Sequence, residues 1–184
     1  MAESGKGFDD GFEGKRILTV GRIADQKGYD FAIPAFAKLR REGYNIRWYV
    51  LGGGDEDYIS YIKSIVEREG VSEDFIFLGT TPNPYRYLAE CDIYAQPSRY
   101  EGKPISVEEA KILKKPIFVC RYLSADEQLE NGKLGKISDI GEDGVYEGLR
   151  FMLTDSDAVG KYVEELSSRN FSNEYEIEKF YNLI

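Results

Sequence analysis

Residues 16–54 read RILTVGRIADQKGYDFAIPAFAKLRREGYNIRWYVLGGG, and their pattern decides the fold. Residues 16–20 are a short apolar run closed by Gly21, as in a buried strand. Tyr29, Ala32, Ile33, Phe36 and Leu39 then recur at helical spacing across residues 29–42, and Gly43 ends the pattern. Pro34 falls inside this helix, and its missing N–H predicts a late start or a kink. Residues 46–51 form a second apolar run, closed by Gly52, Gly53 and Gly54. Strand, helix, strand in one short stretch is a βαβ unit, whose crossover makes the two strands parallel.

The alternation continues. A helix is expected over residues 55–69, with Tyr58, Ile62, Ile65 and Val66 on one face, then a strand over 75–78 stopped by Gly79. A short helix (83–89), a strand (93–95), a helix (104–113) with proline at or near its first position, and a strand (117–120) follow. Beyond them the pattern predicts a short helix (126–131), a weak strand (134–138), helices over 145–153 and 158–168, and an acidic, aromatic helix over 172–181. The expected fold class is α/β: a single Rossmann-like domain over residues 15–184, a parallel sheet with helices on both faces. Residues 1–14 are polar and Gly-rich and read as linker outside that fold.

Composition narrows the function. The 184 residues fit one domain, and 42% hydrophobic content favours a packed core over disorder. Lys and Arg total 24 against 33 Asp and Glu, a net charge of −9, which argues against a general nucleic-acid or anionic-membrane binder. One local cationic pocket remains compatible with it. The absence of His removes imidazole bases, Ser-His-Asp triads and most zinc sites. Cys91 and Cys120 read as small apolar residues at strand edges rather than a disulfide. No apolar run approaches the ~18 residues of a membrane span, and no signal peptide is visible, so the expected location is cytoplasmic.

Parallel sheets bind ligands at the carboxyl ends of their strands, beside a switch in strand order, so the loops after strands are where chemistry is expected. In the first, Arg22 and Lys27 flank a turn into a helix amino end; they read as a diphosphate clamp or as two solvated surface cations. No G-K-[ST] follows, which excludes a Walker loop, and no G-x-G-x-x-G follows the first strand, which disfavours an NAD domain. Gly52, Gly53 and Gly54 either let a ligand approach the backbone or form a plain βα turn. Asp55, Glu56 and Asp57 read as complements to a helix macrodipole rather than as metal ligands.

The third loop, residues 96–110, reads QPSRYEGKPISVEEA. Glu101 lies in the loop and Glu109 roughly 8 Å along the following helix, so the two carboxylates bracket that helix's amino end. Carboxylates would repel a diphosphate; they make sense as acceptors for hydroxyls on sugars at either end of one. Gly102 permits close backbone approach, and the N–H groups of Ile105 and Ser106 can face phosphate. Glu108 points about 100° away and is expected to be solvated. A capped, acidic helix start is the plainer alternative.

VGRIADQKG, LGGG, FIFLG and above all QPSRYEGKPISVEEA resemble the C-terminal, nucleotide-sugar-binding domain of glycosyltransferase family 4 (group 1) enzymes with the GT-B fold, over roughly residues 15–153. The family's E-x7-E pattern is met by Glu101 and Glu109, and residues 124–132 (SADEQLENG) resemble the segment that closes the donor pocket. The resemblance implies a retaining transferase that moves sugar from a nucleoside diphosphate donor to a glycan or lipid-linked acceptor, in glycan or cell-envelope polysaccharide synthesis. By position it makes Arg22 and Lys27 holders of the donor phosphates, and Glu101 an acceptor for donor-sugar hydroxyls. Glu109 would accept from the ribose, with Thr80 and Tyr85 near the base and Gly21, Gly53, Gly79, Gly102, Pro104, Ile105 and Ser106 lining the donor site. No metal and no cofactor are expected. GT-B enzymes place the active site between two Rossmann-like domains, so the resemblance implies an acceptor-binding N-terminal partner domain, low activity for this half alone, and a place at the inner membrane face in the longer enzyme. The sequence departs from the family at Leu113-Lys114-Lys115-Pro116, where a Gly before the Pro is common, and carries Lys103 in a variable slot. A non-enzymatic flavodoxin- or receiver-like interaction domain is the alternative from another class.

Overall fold

The computed structural model describes residues 7–171, so the helix expected over 172–181 lies outside the described residues. Six strands alternate with helices: β1 (Lys15–Val20), α1 (Tyr29–Arg41), β2 (Ile46–Leu51), α2 (Glu56–Arg68), β3 (Phe75–Gly79), α3 (Tyr85–Glu90) and β4 (Ile93–Gln96). After them come α4 (Ile105–Ile112), β5 (Ile117–Cys120), α5 (Ala125–Gln128), β6 (Lys136–Ser138), α6 (Glu142–Thr154) and α7 (Ser156–Ser167). The sheet order is β3-β2-β1-β4-β5-β6 and every pairing is parallel. The chain thus forms the expected Rossmann-like α/β sheet. Flavodoxin- and receiver-like sheets run 2-1-3-4-5, so that alternative does not describe this fold.

Burial on both faces explains the near-continuous apolar strands. Successive residues point to opposite faces: Ile17 and Trp48 join one core cluster with Ile33, Phe36, Ile62 and Leu149, while Leu18 and Tyr49 join another with Leu88, Val107 and Leu129. Pro34 is the sixth residue of α1, so the helix does not start late. Tyr29, Ala32 and Ile33 are fully inaccessible, and burying that first turn outweighs the hydrogen bond lost at Asp30. Pro104 stands one residue before α4, with extended backbone, as its N-cap.

Residues 7–14 depart from the linker expectation. They form no helix or strand, yet Phe8 is 8% exposed and packs on Tyr49 and Tyr87 at ring-centroid distances of 4.5 and 5.1 Å. The Glu90 carboxylate accepts from the backbone N–H groups of Gly7 (2.9 Å) and Phe8 (3.1 Å). The Arg16 and Arg47 guanidinium groups stand 5.5 and 4.5 Å from the Phe12 ring centroid. Asp10 accepts from Arg16 (2.8 Å), Arg47 (3.2 Å) and the Tyr49 hydroxyl. Burial alone would raise the Asp10 carboxyl, but the hydrogen bonds from Tyr49 and Arg16 outweigh it and hold it well below the ordinary carboxylate range. Two aromatics in a polar, glycine-rich stretch do this anchoring, which an averaged composition hides.

Phe8→Ala is expected to lower the unfolding free energy by about 3 kcal/mol in urea titration, against near zero for a true linker residue. Asp10→Asn is expected to be less stable than the parent at pH 7. A depressed folded-state pKa gives stability that is present above about pH 4 and lost as pH falls further, so the gap should close on acidification in a series of thermal melts.

Candidate functional site

The strand order reverses between β1 and β4, the position where parallel sheets bind ligands, and the loops leaving these two strands meet there. Residues 21–28 first run alongside the loop after β2: Gly21 N–H donates to Leu51 O (3.0 Å) and Ile23 N–H to Gly53 O (2.8 Å). A Cβ on Gly52 would lie 2.0 Å from Gly21 O, and one on Gly54 2.1 Å from Ile23 O. These two glycines therefore admit the protein's own backbone, whereas a Cβ on Gly53 would meet only Thr80 Cγ2, at 3.3 Å. The loop then makes a 3₁₀ turn at Asp25–Lys27 and ends at Gly28, where φ is 69° and a Cβ would lie 2.4 Å from Pro97 O. Arg99 N–H donates to Gln26 O at 2.8 Å, which fixes the loops after β1 and β4 together.

At that junction Lys27 Nζ donates to Glu101 Oε1 at 2.7 Å, with side chains 10% and 9% exposed. Glu101 Oε1 also accepts from Gln96 Nε2 (2.9 Å) and Ser98 Oγ (2.8 Å), and Oε2 from Gln26 Nε2 (3.1 Å). A Cβ at Gly21 would stand 3.1 Å from Lys27 Nζ, so a larger residue there would crowd the lysine. The Gln96 amide oxygen accepts from the Tyr94 hydroxyl at 2.6 Å, and Tyr94 accepts in turn from Ser106 Oγ at 2.7 Å. Burial pushes the Tyr94 hydroxyl far above its ordinary value, which keeps it a neutral donor. Gln96, Ser98 and Gln26 are absent from the residues singled out in the sequence. The available signal was position: Gln96 closes an apolar strand and Ser98 lies three residues before Glu101.

The Tyr85 hydroxyl at the start of α3 donates to Glu109 Oε1 on α4 at 2.8 Å, and that bond raises the Tyr85 hydroxyl above its usual range. Gly79 has a φ of 73°, open only to glycine without strain. Gly102 is exposed with nothing within 4 Å of an added Cβ, and its carbonyl accepts from Ser124 Oγ. Gln128 Nε2 donates to Pro104 O (3.0 Å) and Glu108 Oε1 (2.8 Å), so the segment around α5 is stapled to the start of α4. Glu108 is therefore not solvated as expected: it also pairs with Lys111 at 2.8 Å, because α5 brings the Gln128 amide over it. Ile105, the first residue of α4, is 74% exposed.

Arg22 stands apart. It is exposed, and among the described residues it makes no side-chain hydrogen bond or ion pair, so Lys27 is joined to Glu101 and not to Arg22. The four charged side chains stand in three settings: a buried pair, the Tyr85–Glu109 contact, and exposed Arg22. They do not line the cavity of about 520 Å³ at the ends of β5 and β6, which Arg121, Ser138, Asp139 and Glu142 help to form. Asp55, expected as a macrodipole complement, stands just before α2 and caps it by accepting from the N–H groups of Asp57 and Tyr58. Among the described residues no cluster of three or more Cys, Asp or Glu is gathered for a metal. Cys91 and Cys120 are free and buried, and burial pushes both thiols up to about 12. No helix among the described residues is long and apolar enough to cross a membrane.

Glu101→Gln leaves the buried Lys27 ammonium without its counter-charge. Its expected cost is about 3 kcal/mol of stability, and Lys27→Met combined with Glu101→Gln should recover most of that in a double-mutant cycle read by denaturant unfolding.

The family described as glycosyl transferases group 1 matches residues 10–170. An uncharacterized glycosyltransferase of Haemophilus influenzae is 27% identical over 171 residues, covering 91% of this chain and 47% of its own length. The N-acetylgalactosamine-N,N'-diacetylbacillosaminyl-diphospho-undecaprenol 4-alpha-N-acetylgalactosaminyltransferase of Campylobacter jejuni is 26% identical over 159 residues, covering 84% of this chain and 42% of itself. The crystal structure of Anabaena Alr3699/HepE in complex with UDP-glucose shares the fold, with a TM-score of 0.79 at 19% identity, over 92% of this chain and 49% of that one. The chain spans about half the length of the curated relatives it matches. With its sheet order and a match running along nearly all its described length, this chain belongs to the glycosyl transferases group 1.

Proposed function

We propose that this chain is the donor-binding half of a retaining glycosyltransferase and takes a nucleoside diphosphate sugar where the strand order reverses between β1 and β4. The observation that carries the reading is the Lys27–Glu101 pair, a buried cation and a buried acceptor 2.7 Å apart where the two loops meet. A diphosphate would draw on Lys27, on exposed Arg22 and on the N–H groups of Ile105 and Ser106 in the first turn of α4. Charge developing on the leaving diphosphate would be balanced by these groups, and the reaction would need no metal. Glu101 would accept from hydroxyls of the sugar, and Glu109, oriented by Tyr85, from the ribose. The UDP-glucose complex of HepE supports a donor of this class.

The acceptor would be a glycan or a lipid-linked saccharide, in keeping with the diphospho-undecaprenol substrate in the Campylobacter relative's name. Transfer would require a counterpart to the other half of the relatives, working at the cytoplasmic membrane face, and this half alone would transfer poorly or not at all. The test is calorimetric titration with UDP and GDP, with and without EDTA. Saturable, EDTA-insensitive binding of one of them is expected, and Arg22→Ala with Lys27→Ala should weaken it by about 2–3 kcal/mol. Equal affinity in a folded double variant removes the clamp, and no binding of either nucleotide removes the reading.

A further inference from the structure

Glu101 holds its two carboxylate oxygens in unequal states. Oε1 takes three donors, Lys27, Gln96 and Ser98, within 2.7–2.9 Å, which exhausts the acceptor capacity of one carboxylate oxygen. Among the described residues Oε2 takes only the Gln26 amide, at 3.1 Å, and keeps room for another hydrogen. The asymmetry traces to Gln96, which is fully buried and has both ends of its amide committed. Its nitrogen donates to Glu101 and to Ser98 Oγ (2.8 Å), and its oxygen accepts the hydrogen bond of the Tyr94 hydroxyl. Tyr94 is held in turn by Ser106 in the first turn of α4.

We propose that Gln96 is the positioning residue of this site: with Tyr94 and Ser106 it locks Glu101 to the amino end of α4, saturates Oε1 and leaves Oε2 as the oxygen that receives a hydroxyl of the donor sugar. This rests on the reading that Glu101 faces the sugar, and it adds which oxygen does so and what sets it. Lys27 alone could not impose the choice, because an ammonium on a flexible stem follows the carboxylate as it rotates. A buried amide anchored at both ends does not rotate.

Two measurements test it. Crystal structures of the ligand-free parent and of Gln96→Leu should show the Glu101 carboxylate turned away from its parent position; an unmoved carboxylate overturns the proposal. Calorimetry then compares UDP with UDP-glucose and UDP-N-acetylglucosamine, and GDP with GDP-mannose. For the sugar form that the parent binds more tightly than its diphosphate, Gln96→Leu should lower affinity about tenfold more than it lowers affinity for the diphosphate. Tyr94→Phe, which removes only the far hydroxyl, should do the same by about threefold and guards against a misfolded first variant. Equal losses for both ligands mark a merely structural role and overturn the proposal, as does a parent that binds a diphosphate but prefers no sugar form. A parent that binds no nucleotide overturns the donor reading instead, and the crystal comparison still decides whether Gln96 sets Glu101.

Discussion

A lysine and a glutamate buried side by side constrain everything around them. Taking an ammonium and a carboxylate out of water costs several kcal/mol per ion, and their mutual attraction offsets this only when the remaining hydrogen-bond capacity is filled. Around Glu101 most of it is met by Gln26, by Gln96 at the end of β4 and by Ser98, drawn from both sides of the junction, which leaves one place on Oε2 open. The pair is therefore a product of the whole junction and not of either loop. It also gives an acidic chain of net charge −9 a local buried cation, neutralised by its own carboxylate.

The junction exists because the strand order reverses between β1 and β4. At such a reversal the connections leave for opposite faces of the sheet, so only the loops after β1 and β4 meet over the strand ends. Glycine then brings the loops close. Gly52 and Gly54 let the loop after β1 lie on the loop after β2, and Gly28 lets it touch Pro97 after β4. The same contacts hold Arg22 outward and turn Lys27 inward, so two cations of similar sequence setting reach different environments.

The rest of the molecule stabilises this edge from a distance. Gln128 ties the short α5 segment to Pro104 and Glu108, which fixes the start of α4, and Ser124 holds the Gly102 carbonyl. At the opposite end of the strands, Asp10 and Phe8 strap residues 7–14 against Tyr49 and Glu90 receives their N–H groups. The carboxyl ends of the strands are thus left to the loops that carry the candidate site.

The sequence by itself determined the layered α/β class, the strand and helix order and the loops in which to look, because apolar periodicity and glycine stops report local burial directly. Glu101, Glu109, Arg22 and Lys27 were legible because charge near a helix amino end stands out in a short window. Gln96, Ser98, Gln26 and Tyr94 were not, because a neutral residue closing a buried strand looks like any other until its partners arrive from another loop. The reach of Phe8 and Asp10 was hidden for the same reason. Only the tertiary structure decided that Lys27 turns inward to pair with Glu101 while Arg22 stays exposed, and that Glu108 is engaged and not solvated. Pairings between side chains distant along the chain depend on strand order and loop contact, which no single segment encodes.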